Sequence, residues 1–395
     1  MNRNRTIAVG ATLLVLLVAL GVGSVVLDKR ADVAAAAEVQ APIFEVDPLW
    51  PKPLPNHWVM GWTVGVSVDP QDHIWVVHQA TKLEAPELWG ATKESSCCFA
   101  APPVLEFDQA GNLLSHWGGP GEGYDWMDNP HGVYADAKGN IWMGGNGAGD
   151  SQILKFTQAG KFLLQIGRPK MSQGSNDVAN VNKGTKIWVD DAANEAYVSD
   201  GYSNRRLIVF DATTGKYKRH WGAYGNKPDD TNLGNLNPDE PPAKQFRLPV
   251  HCVAVSNDGL VYVCDRKNNR LQVFQKDGTF VKEQFWARRT LGDGAVGDVA
   301  FSRDAQQKYL YVSDPSNEKI YIVERATLQT LTTIGDGGRQ PGQFYSVHSI
   351  FTDSKGNLYT AETRRGQRVQ KFLYKGLGPV TKPDQGVLWP KAPRT

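Results

Sequence analysis

This chain of 395 residues lacks an excess of either charge: 43 lysines and arginines face 41 aspartates and glutamates, a formal net charge of +2. That excludes a globally basic nucleic-acid binder, although not a local basic patch. Cysteine is scarce, at four residues, and no pair is spaced C-x-x-C. The usual signature of a thioredoxin-type redox site or a four-cysteine zinc site is therefore missing. After residue 45 no stretch carries an amphipathic helical period of useful length, which argues against a helical bundle or solenoid. Charged residues make up only 21% against 41% hydrophobic, so general disorder is excluded and a packed core is affordable.

The chain is generous in turn formers and aromatics, with Gly 40, Pro 23 and an aromatic fraction of 10%. Many turns with many aromatics point to β structure. The length suits two or three ordinary domains or one large all-β unit.

The chain opens Met1-Asn-Arg-Asn-Arg5 and then runs without charge from Ile7 to Leu27, ending at Asp28-Lys-Arg30. A basic start before an apolar run is an export signal. Its length serves either a cleaved signal or an uncleaved membrane anchor. Both readings keep the basic end inside and carry the rest across the membrane, to a periplasmic or extracellular location. The expected organisation is a signal or anchor over 1–30, a linker over 31–45, a folded unit over 46–380 and a tail over 381–395. Cys252 and Cys264 flank Asn257-Asp-Gly259, a hairpin signal, at a spacing that lets them face each other across two strands. Cys97-Cys98 is a vicinal pair open to three readings: a disulfide, a soft-metal site or no role.

One pattern recurs six times: a Val-rich strand, a Gly or Asp turn, then an aromatic-led strand. Its aromatic markers are Trp75, Trp142, Tyr197, Tyr262, Tyr311 and Tyr359. Further strands follow, as in Arg206-Leu-Ile-Val-Phe210 and Leu271-Gln-Val-Phe274. Four strands in each of six repeats predict an all-β, six-bladed β-propeller. Two insertions, 79–103 and 226–245, read as loops over one mouth, where such folds place function. Leu49-Trp-Pro-Lys52 recurs as Leu388-Trp-Pro-Lys391, which suggests that the termini meet where the ring closes. The pairs Arg205-Arg206, Arg288-Arg289 and Arg364-Arg365 read most simply as solvated corners.

His131, His251 and His348 each precede the aromatic marker of their repeat by eleven residues. They therefore share one position in blades two, four and six. First strands line the central channel of a propeller, so three imidazoles on alternate blades converge on the axis. Three histidines with an open fourth position are the ligand set of a catalytic zinc. Imidazole also suits copper, iron and nickel. The bland reading of any one of them is a hydrogen-bonded core histidine.

The corners Asp200-Gly-Tyr-Ser-Asn-Arg205 and Asp265-Arg-Lys-Asn-Asn-Arg270 look like the blade signature of NHL-repeat proteins. Asp200, Asn204, Asp265, Asn269 and Arg270 read as braces between blades. Together with Asn129-Pro-His-Gly-Val133 and Leu248-Pro-Val-His-Cys-Val253, they make the chain resemble the peptidyl-α-hydroxyglycine α-amidating lyase family over about residues 46–375. The resemblance implies a six-bladed propeller with a three-histidine zinc site. It also implies a catalytic tyrosine at Tyr202 and a catalytic, substrate-facing arginine at Arg266. A second family arginine is replaced by Gln79, which keeps a place against substrate. Ser346 and Ser349 stand where the family has a methionine and a calcium-binding acid, so the resemblance gives little support for calcium.

The function so implied is cleavage of α-hydroxyglycine carbinolamides to amide and glyoxylate, on a small-molecule or peptide-like substrate, with an altered pocket. Two other classes compete. One is a metal-dependent lactone or ester hydrolase; the other is a non-catalytic NHL binding propeller. Net charge and export both weigh against nucleic acid as a partner.

Overall fold

A computed structural model describes residues 39–391. The apolar run 7–27 and the end of the tail lie outside the described residues. No helix among the described residues is long and apolar enough to cross a membrane.

The architecture is all-β, with six four-stranded antiparallel sheets. The inner strands are Trp62–Val68, Pro130–Ala135, Gly184–Asp190, Val250–Val255, Val299–Phe301 and Val347–Thr352. Successive inner strands pack side by side, and the sixth packs against the first, so the ring is closed. The inner strands are buried at almost every residue. The six aromatic markers are all fully or almost fully buried.

The sixth blade is composite. Its outer strand is Gln40–Asp47, paired antiparallel with Arg368–Pro379 from the other end of the chain. Residues 40–45 are therefore a blade strand, where the sequence suggested linker. Phe44 and Val46 are buried there and satisfy the apolar face of the blade. The tail also packs: Leu388 bridges Glu45, and Asp384 bridges Thr333. The two ends of the described residues meet at the closure, as the repeated Leu-Trp-Pro-Lys suggested.

The channel is layered along its axis. At one end stand the three histidines. Below them Lys186 Nζ lies 2.5 Å from Asp298 Oδ1, and Asp298 Oδ2 accepts the Ser349 hydroxyl at 2.9 Å. Deeper still, Tyr134, Trp188, Phe301 and Phe351 pack ring against ring, with the Trp188 and Phe351 rings stacked at 6.0 Å. These layers close the channel beneath the histidines, so the site opens at one mouth.

The insertion after the first blade's second strand holds the helix Ala85–Ala91, capped by a reciprocal Glu84–Glu87 box. It also holds Phe99–Ala100, which pairs with Trp58–Val59. Cys97 and Cys98 are joined to each other in this insertion, and Cys252 is joined to Cys264 across directly paired strand positions.

Candidate metal centre and substrate cavity

Each tripod histidine sits at an interruption of its strand's register. The pairing skips a residue between His131 and Val133, between Val250 and Cys252, and between Val347 and Ser349. A bulge turns a side chain out of the ordinary in–out alternation, and here it turns each imidazole to the axis. In the second blade the skipped residue is Gly132, at φ +64°. A Cβ there would come within 2.1 Å of the Thr185 carbonyl oxygen, so the glycine is a steric requirement.

The odd blades supply acceptors for the even ones. His131 Nδ1 donates to Thr185 O at 2.8 Å, His251 Nδ1 to Gly297 O at 2.6 Å, and His348 Nδ1 to Val64 O at 2.8 Å. A carbonyl can only accept, so each Nδ1 carries the proton and each Nε2 is left as a lone pair. One nitrogen from each of the three histidines lies within 4.8 Å of the others. His251 Nε2 and His348 Nε2 are 3.0 Å apart. With both Nδ1 protons already committed, that approach sets lone pair against lone pair, and a cation between them relieves it.

Burial also keeps these rings neutral. It lowers the His131 pKa to about 4, with Arg266 adding to the effect. Burial lowers His251 and His348 well below the ordinary histidine value, aided by Arg266 and by the neighbouring histidines. Neutral imidazoles with fixed tautomers and converging lone pairs are the donor set of a three-histidine metal site. The residues present fit zinc, and the group Asp69, His73 and Glu106 does not compete. There His73 Nδ1 lies 2.8 Å from Glu106, and Asp69 accepts the Trp75 indole N–H at 3.0 Å.

Around the open side of the tripod is a cavity of about 360 Å³ lined by Trp62, Gln79, His131, Tyr202, Arg266 and His348, among others. Tyr202 lies in the turn after Glu195–Asp200. Its hydroxyl is 3.3 Å from His131 Nε2 and 3.4 Å from Arg266 Nη1. Gly201 permits this close approach of blades three and four, because a Cβ there would fall 1.9 Å from the Val250 carbonyl oxygen. Arg266 is buried, with its guanidinium 5.7 Å over the Tyr202 ring and its Nε without a partner. Gln79 is buried, and its amide donates to Pro130 O at 3.2 Å and to Asn146 Oδ1 at 3.0 Å. The three histidines, Tyr202, Arg266 and Gln79 are thus brought to one place.

The corner aspartates brace the structure. Asp200 accepts Arg206 Nε at 2.8 Å and Asn204 at 2.7 Å, while Asp265 accepts Arg270 at 2.8 Å and Asn268 at 2.7 Å. Asn269 holds the loop carbonyls of Arg288 and Thr290. Two of the three arginine pairs depart from the solvated reading. Arg205 and Arg206 are buried, and Arg206 ties down the carbonyls of Ser175, Asp177 and Asn180. Arg364 lines the cavity and is paired with Asp293, which also approaches Arg266 at 3.9 Å. Sequence reasoning missed Asp293, Asn146 and Trp62 as well, because Asp293 comes from a connection between blades, Asn146 from a loop inside blade two and Trp62 from the very start of an inner strand, all outside the repeated core of the pattern.

An NHL-repeat model matches residues 250–274, the first three strands of the fourth blade. Peptidyl-glycine alpha-amidating monooxygenase B of Xenopus laevis is 31% identical over 249 residues, covering 62% of this chain and 26% of that protein. Peptidyl-alpha-hydroxyglycine alpha-amidating lyase 2 of Drosophila melanogaster is 25% identical over 367 residues, 86% of this chain and 77% of that one. This chain is similar to the amidating enzymes and carries an NHL repeat. It spans about a quarter of the length of the Xenopus laevis protein. NHL repeat-containing protein 3 of Mus musculus is 26% identical, with 85% of each chain covered. Among solved structures, a streptogramin B lyase has a TM-score of 0.49 at 13% identity, covering 85% of this chain and 98% of that one.

Proposed function

We propose that the chain is an exported, zinc-dependent lyase that splits a carbinolamide of the α-hydroxyglycine type into an amide and glyoxylate. The observation that carries this reading is the convergence of three Nε2 lone pairs, the Tyr202 hydroxyl and the buried Arg266 guanidinium beside one cavity. Zinc, when bound by His131, His251 and His348, supplies a Lewis acid that favours loss of a hydroxyl proton.

The chain's own residues do the rest. Arg266 offers a planar fork of donors to the substrate carboxylate, and its unpartnered Nε is a donor still to be satisfied. Once its own proton has passed to solvent, Tyr202 presents a phenolate oxygen placed to take the carbinol proton. The carbon–nitrogen bond then breaks, its electron pair goes to nitrogen, and the O–H pair becomes the second bond of the new aldehyde. The proton held by Tyr202 passes to nitrogen and completes the amide. Gln79 stands where the resemblance has a cation, and its amide N–H groups are already given to Pro130 O and Asn146 Oδ1, so the pocket holds its substrate's carboxylate with one arginine fewer. Calcium has no evident role, because Ser349 offers a hydroxyl already committed to Asp298.

The site is proposed to work beyond the cytoplasmic membrane, to which residues 7–27 deliver or tether it. The Cys252–Cys264 link accords with an oxidising compartment. The purified protein should carry about one zinc per chain and release glyoxylate from a hydroxyhippurate-type compound. His251→Ala should lose both the metal and turnover. Metal-dependent hydrolysis of lactones or esters without glyoxylate release would replace the lyase reading with the hydrolase one. A metal-free, inactive protein would leave a binding propeller.

A further inference from the structure

Beside the tripod cavity lies a second one of about 440 Å³, on the same mouth of the propeller. The two share Leu248 and Lys267 as lining residues, so they are two compartments of one cleft. One wall of the second comes from the insertion at 226–245, which contributes Leu233 and Leu236. The lining also includes Arg205, Arg247 and Lys267, and no carboxylate. Arg205 is only 7% exposed and its Nε has no partner. Its nearest acid, Asp230, is 3.9 Å from Nη1 and half-exposed to solvent. Arg247 is spent on neutral groups, donating from Nε to Asn268 Oδ1 at 2.9 Å and from Nη1 to Leu233 O at 3.0 Å. Among the described residues neither Arg247 nor Lys267 forms an ion pair. A buried guanidinium nitrogen with nothing to bond is costly unless a ligand satisfies it.

From this we infer that the second cavity binds an apolar chain bearing a carboxylate, and that it receives the distal part of the substrate. The leucines cover the chain, and Arg205, Arg247 and Lys267 take the charge. The natural substrate is then a dianion, with one carboxylate at Arg266 beside the tripod and a second one at this cluster. The assignment of the occupant as substrate rests on the lyase reading; the preference of the cavity itself does not.

Calorimetric titration of the full chain with octanoate, octylammonium and acetate tests the cavity. Octanoate should bind at least about tenfold more tightly than either of the others, because only it offers both the chain and the anion. Leu236→Asp and Lys267→Glu should each weaken octanoate by about tenfold or more. His251→Ala should leave octanoate binding in place, which separates it from carboxylate binding at the tripod. Equal binding of octylammonium, or octanoate binding untouched by Leu236→Asp, overturns the inference. In turnover, an N-acyl-α-hydroxyglycine with a second carboxylate on its acyl chain should exceed hydroxyhippurate in kcat/KM, and Leu236→Asp should erase the difference. If neither compound is cleaved, the lyase reading has failed and the octanoate result still decides the cavity. If both are cleaved equally while octanoate binds as expected, the cavity is an anion site outside the substrate path and the substrate assignment is overturned.

Discussion

An imidazole buried between one donor and one acceptor has no freedom in its protonation. His78 accepts the Gly61 backbone N–H at Nδ1 and donates from Nε2 to the Pro102 carbonyl. A second proton would set N–H against N–H, and burial lowers the His78 pKa to about 4. In the unfolded chain histidine titrates near about 6.5. The stabilisation is therefore fully present above pH 6.5 and is lost as pH falls towards 4, by up to about 3 kcal/mol. His78→Asn should be clearly less stable than the parent at pH 7.5, and the gap should narrow between pH 6.5 and 4. Thermal melts of both proteins across that range check it, and a gap independent of pH would refute it. The tripod rings share the same burial but turn their lone pairs to a common point. That difference was legible in the sequence as one register on alternate blades. Arg205 and Arg206 were not legible, because a doubled arginine at a corner reads the same whether its fork finds water or the carbonyls of the loop before it.

Tyr202 and Gln79 make the residue-scale test of chemistry. Tyr202→Phe removes one oxygen that touches only His131 and Arg266, so turnover should vanish while zinc and fold remain. Gln79 already points its amide into the cavity wall at Pro130 and Asn146. Gln79→Arg should raise kcat/KM on α-hydroxyglycine compounds by about 1–3 kcal/mol of transition-state binding, the worth of one charge-assisted hydrogen bond. Metal analysis and glyoxylate assays on the two variants read both outcomes, and an active Tyr202→Phe protein would remove the tyrosine from the mechanism.

At the scale of the element, the inner strand carries the design. Its bulge frees a carbonyl or aims an imidazole, and the next residue decides what lies one layer deeper. Thr185 gives His131 its acceptor, and Lys186, the following residue, enters the channel towards Asp298. In the fifth blade Gly297, just ahead of the inner strand Val299–Phe301, gives His251 its acceptor without a bulge, with Asp298 following. The strand pattern and its alternation were readable from the sequence. The bulges were not, since one skipped hydrogen bond leaves no compositional trace. Lys186 and Asp298 are both buried, and Asp298 also accepts the Ile350 and Val299 backbone N–H groups. Lys186→Met would strand that carboxylate in a dry channel and should cost about 3–5 kcal/mol. Adding Asp298→Asn should recover part of the loss, because an amide still accepts from Ser349. Urea unfolding of the single and double variants measures this, and a double variant no better than Lys186→Met alone would show that the charge is not the cause.

At the scale of the whole molecule, closure of the ring and integrity of the site are one problem. The sixth blade takes its outer strand from residues 40–47, while its inner strand carries His348. His348 is held by the Val64 carbonyl of the first blade, across the seam that this outer strand closes. The repeat count was visible in the sequence, but the origin of the last strand was not, because Gln40–Asp47 carries no aromatic marker and stands alone before the first repeat. Phe44 is buried in this strand, edge-on to Tyr311 at 5.5 Å between ring centres. Phe44→Ala should cost about 3–5 kcal/mol through lost burial and the cavity left behind. A ring has no free end at which to fray, so the loss should act on the whole fold and not on one blade. Heating the zinc-loaded variant while following circular dichroism and metal release together should show both transitions lowered and coincident. Metal released well below the loss of β signal would mean that the seam opens before the ring melts. Metal held beyond it would separate the site from the closure altogether.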